Sequence, residues 1–301
     1  MLAQTLPACH VKLLKSYLED RFFRVRVGEE LSELRSIMAG VPQGSVLGPL
    51  LYLLFTSDIP PPVQDSILAK FADDTAYFAS HKDQEIATDI IQENINNVIQ
   101  WKDNKDIKMN SEKTIFTVFT NRVIKNIPIL FCDNIIQISN TAKYLGLNLD
   151  VKLKWKEHIK KKRIECSLKV HKLNWLIGYN SALSLDNRLL IYKQIIRPTW
   201  AYGCQLWGCA APSNIKILQT FQNKTLRKIV RATTFERNND IHRDLGVESV
   251  EEFITKVANR YEARLHDHPN DEALILLDNS EEYRRLKRRK LWELASPRFD
   301  L

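Results

Sequence analysis

Two adjacent carboxylates, Asp73 and Asp74, are the residues of this sequence best suited to chemistry. They separate two short apolar stretches, 67–72 and 75–79, in a pattern typical of a tight hairpin with the acidic pair at its tip. Paired carboxylates can hold divalent ions, and two ions roughly 3.5 to 4 Å apart stabilise the attacking and leaving oxygens of phosphoryl transfer. Because most Asp-Asp pairs at turns are simply solvated, the pair alone does not indicate a metal site.

A glycine-rich segment upstream gives the pair a context. Glycines on both sides of Pro42-Gln43 let the backbone approach a flat substrate closely. The apolar run that follows predicts a buried helix over 47–55, which would offer its positive N-terminus to phosphate. An ordinary loop with a helix cap explains Gly44 and Ser45 equally well. It does not explain the whole string, which reads Gly40-Val41-Pro42-Gln43-Gly44-Ser45-Val46-Leu47-Gly48-Pro49.

The string 40–49 followed by Phe-Ala-Asp-Asp at 71–74 resembles motifs B and C of a reverse transcriptase, in the form found in non-LTR (LINE-type) retrotransposons of the jockey-like branch. Further segments resemble motif D, motif E (the primer grip), the thumb and the tail, in the order 108–114, 143–146, 197–203 and 284–288. The resemblance covers nearly the whole chain. It implies an RNA-directed DNA polymerase that uses Mg²⁺ in a two-metal nucleotidyl transfer, with an RNA template, a DNA primer and dNTPs as partners.

The resemblance also implies roles for individual residues. Asp73 and Asp74 would be catalytic residues that bind the metal ions. The pocket for the incoming nucleotide and the template base would contain Pro42, Gln43, Gly44, Ser45, Phe71, Ala72 and Lys113. Lys113 would stand near the triphosphate, where a cation offsets developing negative charge, although a solvated surface lysine explains it equally well. The primer grip would be Tyr144, Leu145 and Gly146, with a turn at a strand end as the alternative.

Periodicity predicts the elements that position these residues. Helical spacing over 9–20, 47–55 and 83–101 and strand patterns around 23–27, 115–119, 127–131, 135–138 and 144–149 indicate an α+β first half with a small, mostly antiparallel sheet. Helical periodicity then takes over, at 155–178, 186–202, 213–232 and 248–266. We therefore predict a domain boundary near Asp150. The resemblance divides the chain into a partial palm (1–150), a helical thumb (151–235) and a C-terminal helical region with a basic tail (236–301).

Positive charge is concentrated in the second half of the 301-residue chain. Residues 151–301 contain 29 basic and 18 acidic side chains, whereas residues 1–150 contain 15 and 18. Such asymmetry favours a partner with regularly spaced negative charge, of which nucleic acid is the commonest. A basic run opens the predicted thumb and could follow the backbone of a template–primer duplex, with a solvated helix face as the alternative. The run contains Lys152, Lys154, Lys156, Lys160, Lys161, Lys162 and Arg163. Trp155 and His158, three positions apart in the same segment, are expected to pack the helix rather than bind a ligand.

The remaining features indicate an intracellular protein that is neither secreted nor membrane-bound, and the resemblance implies the nucleus or the cytoplasm. The five cysteines are scattered and odd in number, and no secretory signal follows Met1. The longest apolar stretch, 46–55, is interrupted by Gly48 and Pro49 and is far shorter than the ~20 residues that span a bilayer. No cysteine or histidine spacing indicates a zinc site.

One expected feature of the family is missing. Its polymerases use a third aspartate, in motif A, on a strand before motif B, but no acidic residue upstream of Gly40 lies in the family's Ala-Phe-Asp sequence. We therefore expect a truncated chain that begins within the palm, exposes apolar surface and has negligible polymerase activity alone. A separate upstream fragment could supply motif A. The alternatives are a non-catalytic nucleic-acid-binding remnant or domesticated module, and a reading frame without a cellular role.

Overall fold

A computed structural model describes residues 6–274 and residue 277. The predicted tail at 284–288 lies outside the described residues. The chain divides into two compact units: unit 1 contains residues 1–111 and 129–135, and unit 2 contains residues 112–128 and 136–301. The family-based boundary near Asp150 stays a prediction, although Leu147 packs within the apolar core of unit 2.

Unit 1 combines three helices with short strands. The helices are α1 (Ala8–Leu18), α2 (Leu47–Phe55) and α3 (Gln84–Asn104). The strands are β1 (Arg21–Phe23), β2 (Arg26–Val27), β3 (Glu30–Leu31), β4 (Arg35–Ile37), β5 (Ser66–Phe71), β6 (Asp74–Ala79) and β7 (Ile129–Phe131), which pairs with β8 (Asn134–Ile136). The predicted helices over 9–20, 47–55 and 83–101 and the predicted acidic hairpin are therefore confirmed, as is the α+β class.

Two predictions for unit 1 need correction. The predicted strand at 23–27 is divided, because β1 pairs with β4 while β2 pairs with β3. The helix α2 was predicted to be buried, but among its apolar side chains only Leu51 is buried, whereas Leu50, Leu53 and Phe55 are about half exposed. An apolar run is buried only where another element covers it, and the described residues of unit 1 cover one face of this helix.

The strands form separate two-stranded sheets, whereas the sequence analysis predicted one small sheet. Five two-stranded sheets occur among the described residues. In β5 and β6 the antiparallel register runs from Ser66 opposite Ala79 to Phe71 opposite Asp74. No described strand therefore has hydrogen-bonded neighbours on both sides.

Unit 2 is mainly helical. Its strands are β9 (Thr141–Tyr144) and β10 (Leu147–Asp150), which form a hairpin. Its helices are α4 (Lys156–Lys172), α5 (Asn174–Ile177), α6 (Leu185–Ile191), α7 (Arg197–Ala201), α8 (Cys204–Trp207), α9 (Pro212–Val230), α10 (Asn238–Leu245), α11 (Val250–His266) and α12 (Asp271–Leu274). A π-helical segment, Tyr192–Ile196, joins α6 to α7.

The predicted helical second half is confirmed with local differences. The predicted helix at 186–202 is interrupted by the π-helical segment, and α8 and α10 were not predicted. The predicted strand at 144–149 is instead a hairpin whose turn is Leu145-Gly146, and the one at 115–119 is reduced to a single bridge between Phe116 and Ile138.

One continuous apolar core holds the helices of unit 2 together. Its largest completely buried side chains include Trp200, Trp207, Tyr192 and Leu226, which come from four different elements. Since burial of a large apolar side chain contributes ~1.5–3 kcal/mol, this cluster is the main source of stability in the unit.

None of the described helices combines the length and the apolar character that a membrane-spanning segment needs.

Candidate functional site

The turn between β5 and β6 carries the predicted catalytic pair. Phe71 and Asp74 are the last paired residues, so Ala72 and Asp73 form a two-residue turn. Ala72 adopts a left-handed conformation (φ 52°) that makes this tight reversal. Both carboxylates are exposed at the hairpin tip, as predicted.

Polar contacts hold this hairpin against two helices of unit 1. The Lys70 ammonium donates a 2.8 Å hydrogen bond to the backbone carbonyl of Thr56, just after α2. At the other end of the hairpin, the buried Asn94 amide of α3 donates to Ser66 Oγ (3.0 Å) and accepts from the Val63 N–H (3.1 Å). The position of the acidic turn therefore depends on a few directed hydrogen bonds.

Tyr52, on α2, also belongs to this site. Partial burial raises the pKa of its hydroxyl, and the negative charge of Asp73 raises it further. The electrostatic effect means that the phenol lies close enough to sense the carboxylate. The sequence analysis did not identify Tyr52, because this residue lies in an otherwise apolar run. Its hydroxyl, the polar group in that run, was the feature that could have indicated a role at the site.

The glycine-rich loop before α2 has an open backbone. Gly40 and Gly44 adopt positive φ angles of 84° and 79°, and side chains at either position would meet no atoms within 4 Å. The Arg21 guanidinium holds the loop by donating to the Gly40 carbonyl (2.6 Å).

Ser45 acts as a cap within this loop. Its hydroxyl accepts from the Gly48 N–H (3.0 Å) and donates to the Pro42 carbonyl (2.8 Å). Ser45 therefore satisfies one N–H of the first turn of α2, although the N-cap position itself is Val46, whose side chain forms no capping hydrogen bond. The role of Pro42, Gln43, Gly44 and Ser45 as a nucleotide or template pocket stays a prediction.

The remaining predicted site residues belong to unit 2. Lys113 is exposed at the end of a 3₁₀ turn, Ser111–Lys113. The predicted primer grip is the turn of the β9–β10 hairpin, with positive φ angles at Leu145 (44°) and Gly146 (77°).

The aromatic ring of Tyr202 packs on the turn that carries the predicted primer grip. The Tyr202 hydroxyl donates to the Leu145 carbonyl (2.9 Å), and a Cβ at Gly146 would lie 3.1 Å from the Tyr202 ring. The positive φ angle therefore favours glycine, and a Cβ at this position would also require the Tyr202 ring to shift slightly. The turn interpretation is confirmed, while contact with a primer stays a prediction.

The predicted basic surface begins just before α4, where the carboxylate of Asp150 holds the backbone in place by hydrogen bonds. Asp150 accepts hydrogen bonds from the backbone N–H groups of Lys152, Lys154 and Trp155 at 3.2, 3.0 and 2.8 Å. Trp155 and His158 then face inward, as predicted, and are buried.

Six of the seven basic residues of the run are exposed, and the seventh, Lys162, is partly buried and paired with Glu165 (2.9 Å). Lys160 pairs with Glu157 at 3.0 Å, and Lys161 donates to Asn148 at 2.9 Å. The exposed six are Lys152, Lys154, Lys156, Lys160, Lys161 and Arg163.

His158 is neutral beneath this basic surface. Burial, together with a smaller effect of the nearby Lys162 ammonium, lowers the pKa of its imidazole from 6.5 to about 4. Its Nδ1 accepts the N–H of Asn148 (3.2 Å), which ties α4 to β10. The imidazole therefore acts in packing, as the sequence analysis favoured.

Among the described residues, no three His, Cys, Asp or Glu side chains lie close enough together to hold a metal ion. Asp73 and Asp74 provide two adjacent hard oxygen donors of the kind that Mg²⁺ prefers. They fit part of a ligand set, which Mg²⁺ ordinarily completes with water and substrate phosphates.

Comparison with known proteins identifies the family to which the sequence of this chain is similar. A family model described as reverse transcriptase (RNA-dependent DNA polymerase) matches residues 1–149. In Drosophila melanogaster, the probable RNA-directed DNA polymerase from transposon X-element is 42% identical over 297 residues, 97% of this chain and 33% of that protein. The probable RNA-directed DNA polymerase from transposon BS is 38% identical over 94% of this chain and 32% of that protein.

The RNA-directed DNA polymerase from mobile element jockey of the same species is 38% identical over 92% of this chain and 31% of that protein. The chain thus spans about a third of the length of the curated relatives it matches. The acidic hairpin and the glycine-rich loop both fall within the matched residues. The chain therefore belongs to the reverse transcriptase family, in the branch of the non-LTR retrotransposons that includes jockey.

Proposed function

We propose that this chain is the palm and thumb portion of an RNA-directed DNA polymerase, which adds dNTPs to a DNA primer on an RNA template. The observation that carries the proposal is the exposed Asp73-Asp74 turn, held by Lys70 and Asn94 within the residues that match the family. In this proposal residues 1–150 form the palm, 151–235 the thumb and 236–301 the C-terminal region. The compartment, nucleus or cytoplasm, stays a prediction.

Asp73 and Asp74 would hold Mg²⁺ in this function. When bound, the ion neutralises charge that develops on the phosphoryl oxygens during nucleotidyl transfer. Gln43 and Gly44 would line the site of the incoming nucleotide and the template base, and Lys113 would pair with the triphosphate. The primer end would lie against the backbone of the Leu145-Gly146 turn.

A third carboxylate is required for the two-metal arrangement, and these 301 residues contain no motif A aspartate. We propose that a segment outside these residues supplies it. Without that carboxylate, at least one ion is poorly positioned, so we expect negligible extension by this chain alone.

Binding of a duplex without catalysis is the second candidate function. It is favoured by the exposed cations of α4 and by the preceding residues Lys152 and Lys154. Each phosphate that they neutralise would add about −0.9 to the slope of log affinity against log salt for B-form DNA. A flat salt dependence would exclude this role.

The test is primer extension by the purified chain with Mg²⁺, dNTPs and an RNA template annealed to a DNA primer. Asp73→Asn removes a proposed ligand, and Asp65→Asn makes the same charge change at an exposed position at the other end of the hairpin. We expect hybrid binding by all three proteins and negligible extension. Extension that is lost in Asp73→Asn but kept in Asp65→Asn would confirm the catalytic pair and disprove the need for a further carboxylate. Absence of hybrid binding would contradict the polymerase proposal.

A further inference from the structure

Arg188, on α6, is a buried cation without a hydrogen-bond or ion-pair partner among the described residues. Its side chain is 8% exposed, and its Nε and Nη1 atoms are buried with no hydrogen-bond acceptor among the described residues. Buried charges in proteins are normally paired, because desolvation of an ion is costly unless another group compensates it. A water molecule could accept one N–H but would leave the charge uncompensated.

Among the described residues, no carboxylate forms an ion pair with Arg188. The ion pairs of the described part of unit 2 use other cations. Asp186, the acid on the same helix, lies two positions away and therefore points to a different face. The helix α6 packs against α9, and α9 is followed by another arginine, Arg231, which donates to the Ser181 carbonyl in the loop before α6 (2.9 Å). The helix pair thus adds positive charge rather than compensating it.

We propose that Arg188 binds a phosphate group of the nucleic-acid backbone. The guanidinium fork matches two phosphate oxygens, and it loses less on leaving water than an ammonium does. The free protein bears the cost of two unpaired donors. Because both donors are buried, the side chain must rotate toward the surface before a phosphate can accept from them. Phosphate is favoured over a carboxylate ligand because residues 151–301 carry 29 basic and 18 acidic side chains. The identity of the phosphate donor rests on the proposed function of this chain.

The two charge-removing variants are Arg188→Met, which keeps the length of the side chain, and Lys224→Met, a matched control on α9 with an exposed ammonium. Arg188→Lys keeps the charge but not the fork. Without ligand, we expect Arg188→Met to raise Tm, since an uncompensated buried charge is removed. A purely structural arginine would give the opposite result, a lower Tm.

Affinity for an RNA·DNA hybrid is measured by fluorescence anisotropy between roughly 50 and 200 mM salt. Over this range, affinity that depends on phosphate contacts falls steeply enough for the salt slope to be measured. We expect Arg188→Met to weaken binding about tenfold and to reduce the salt slope by about 1, with partial rescue by Arg188→Lys. Lys224→Met should weaken binding less. Equal affinities of wild type and Arg188→Met would overturn the inference while leaving the proposed function intact.

Inorganic phosphate separates the two possible failures. Wild type, but not Arg188→Met, should gain Tm in phosphate relative to chloride at equal ionic strength. If this shift is seen and the hybrid does not bind, Arg188 is a site for free phosphate and the proposed function fails. If phosphate has the same effect on both proteins and Arg188→Met lowers Tm, the phosphate site is disproved.

Discussion

The helices of unit 2 enclose a continuous apolar core, whereas unit 1 buries few apolar side chains and leaves many at its surface. In unit 2, Trp200, Trp207 and Tyr192 are completely buried. In unit 1, the apolar helix α2 leaves Leu50 and Phe55 half exposed. The proposed catalytic carboxylates therefore lie on the unit with the weaker core.

This difference changes what positions each part of the site. The primer-grip turn is anchored by Leu147, which is buried in the apolar core of unit 2, while the half-exposed Tyr202 ring contacts Leu145 and Gly146. The acidic turn depends instead on hydrogen bonds from Lys70 and Asn94. A buried core tolerates little displacement, whereas directed hydrogen bonds at a partly exposed hairpin each contribute only ~1 kcal/mol.

The largest effect that tests this comparison is expected at Trp200. Removal of this completely buried ring by Trp200→Ala should lower the free energy of unfolding by ~3–5 kcal/mol, because a cavity replaces packed atoms. The measurement is urea unfolding followed by helical circular dichroism.

Trp175 is the matched control, since it is 73% exposed in the same unit. Trp175→Ala should change the free energy of unfolding by less than ~0.5 kcal/mol. Equal losses in the two variants would show that the apolar cluster is not the main source of stability in unit 2.

Acid should affect the two units in different pH ranges. His158 has a folded pKa of about 4 against an ordinary 6.5, so the unfolded chain takes up its proton first as pH falls. The contribution of His158 is present above pH 6.5 and is lost as pH falls toward about 4, by as much as ~3 kcal/mol. Urea unfolding of wild type and His158→Gln across this range measures it, and the variant should show a smaller pH dependence.

In unit 1 the corresponding group is Asp58. Hydrogen bonds from Lys105 and Trp101 hold the pKa of this carboxyl below its ordinary 3.8, so its stabilising effect is lost only in stronger acid. Asp58→Asn should therefore lower stability by a similar amount at every pH between 4 and 6.5 and leave the pH dependence in that range nearly unchanged. Equal pH dependence in wild type and His158→Gln would mean that the buried imidazole is not the group responsible.

The sequence predicts local structure better than burial. Apolar spacing identified α3 and α9 because each helix has a single packed face, and the residues around Asp73 indicated the hairpin because the two flanking strands are short and apolar. The predicted burial of α2 was wrong because an apolar run does not say which of its faces is covered. The β9–β10 hairpin was missed because Leu145 adopts a left-handed conformation that is unusual for its residue type.

Site residues follow the same pattern. Asp73 and Asp74 were found from residue type and spacing, whereas the proximity of Tyr52 to Asp73 depends on how α2 packs beside the hairpin. The unpaired state of Arg188 also depends on tertiary packing, since nothing in its local sequence distinguishes it from a surface arginine. The periodicity of apolar residues predicts helices and strands, but it does not predict which elements contact each other when they are distant in sequence.

Helix caps should provide the smallest effects, with similar magnitude in both units. Ser249 forms a capping box with Glu252 at the start of α11, and Asp83 accepts from the Glu85 N–H at the start of α3 (3.1 Å). Ser249→Ala and Asp83→Ala should each cost ~1 kcal/mol in urea unfolding, because each leaves a backbone N–H without its side-chain acceptor.

Ser249→Asp and Asp83→Ser are the matched controls, since each keeps a capping oxygen and should recover most of the loss. A cap is a local contact that does not depend on the size of the apolar core. If Ser249→Ala and Asp83→Ala lower the free energy of unfolding by similar amounts, while Trp200→Ala has a large effect, the two units differ in the stability that their apolar cores provide. A loss of several kcal/mol at Asp83 with little change at Ser249 would instead show that unit 1 relies on local hydrogen bonds for its stability.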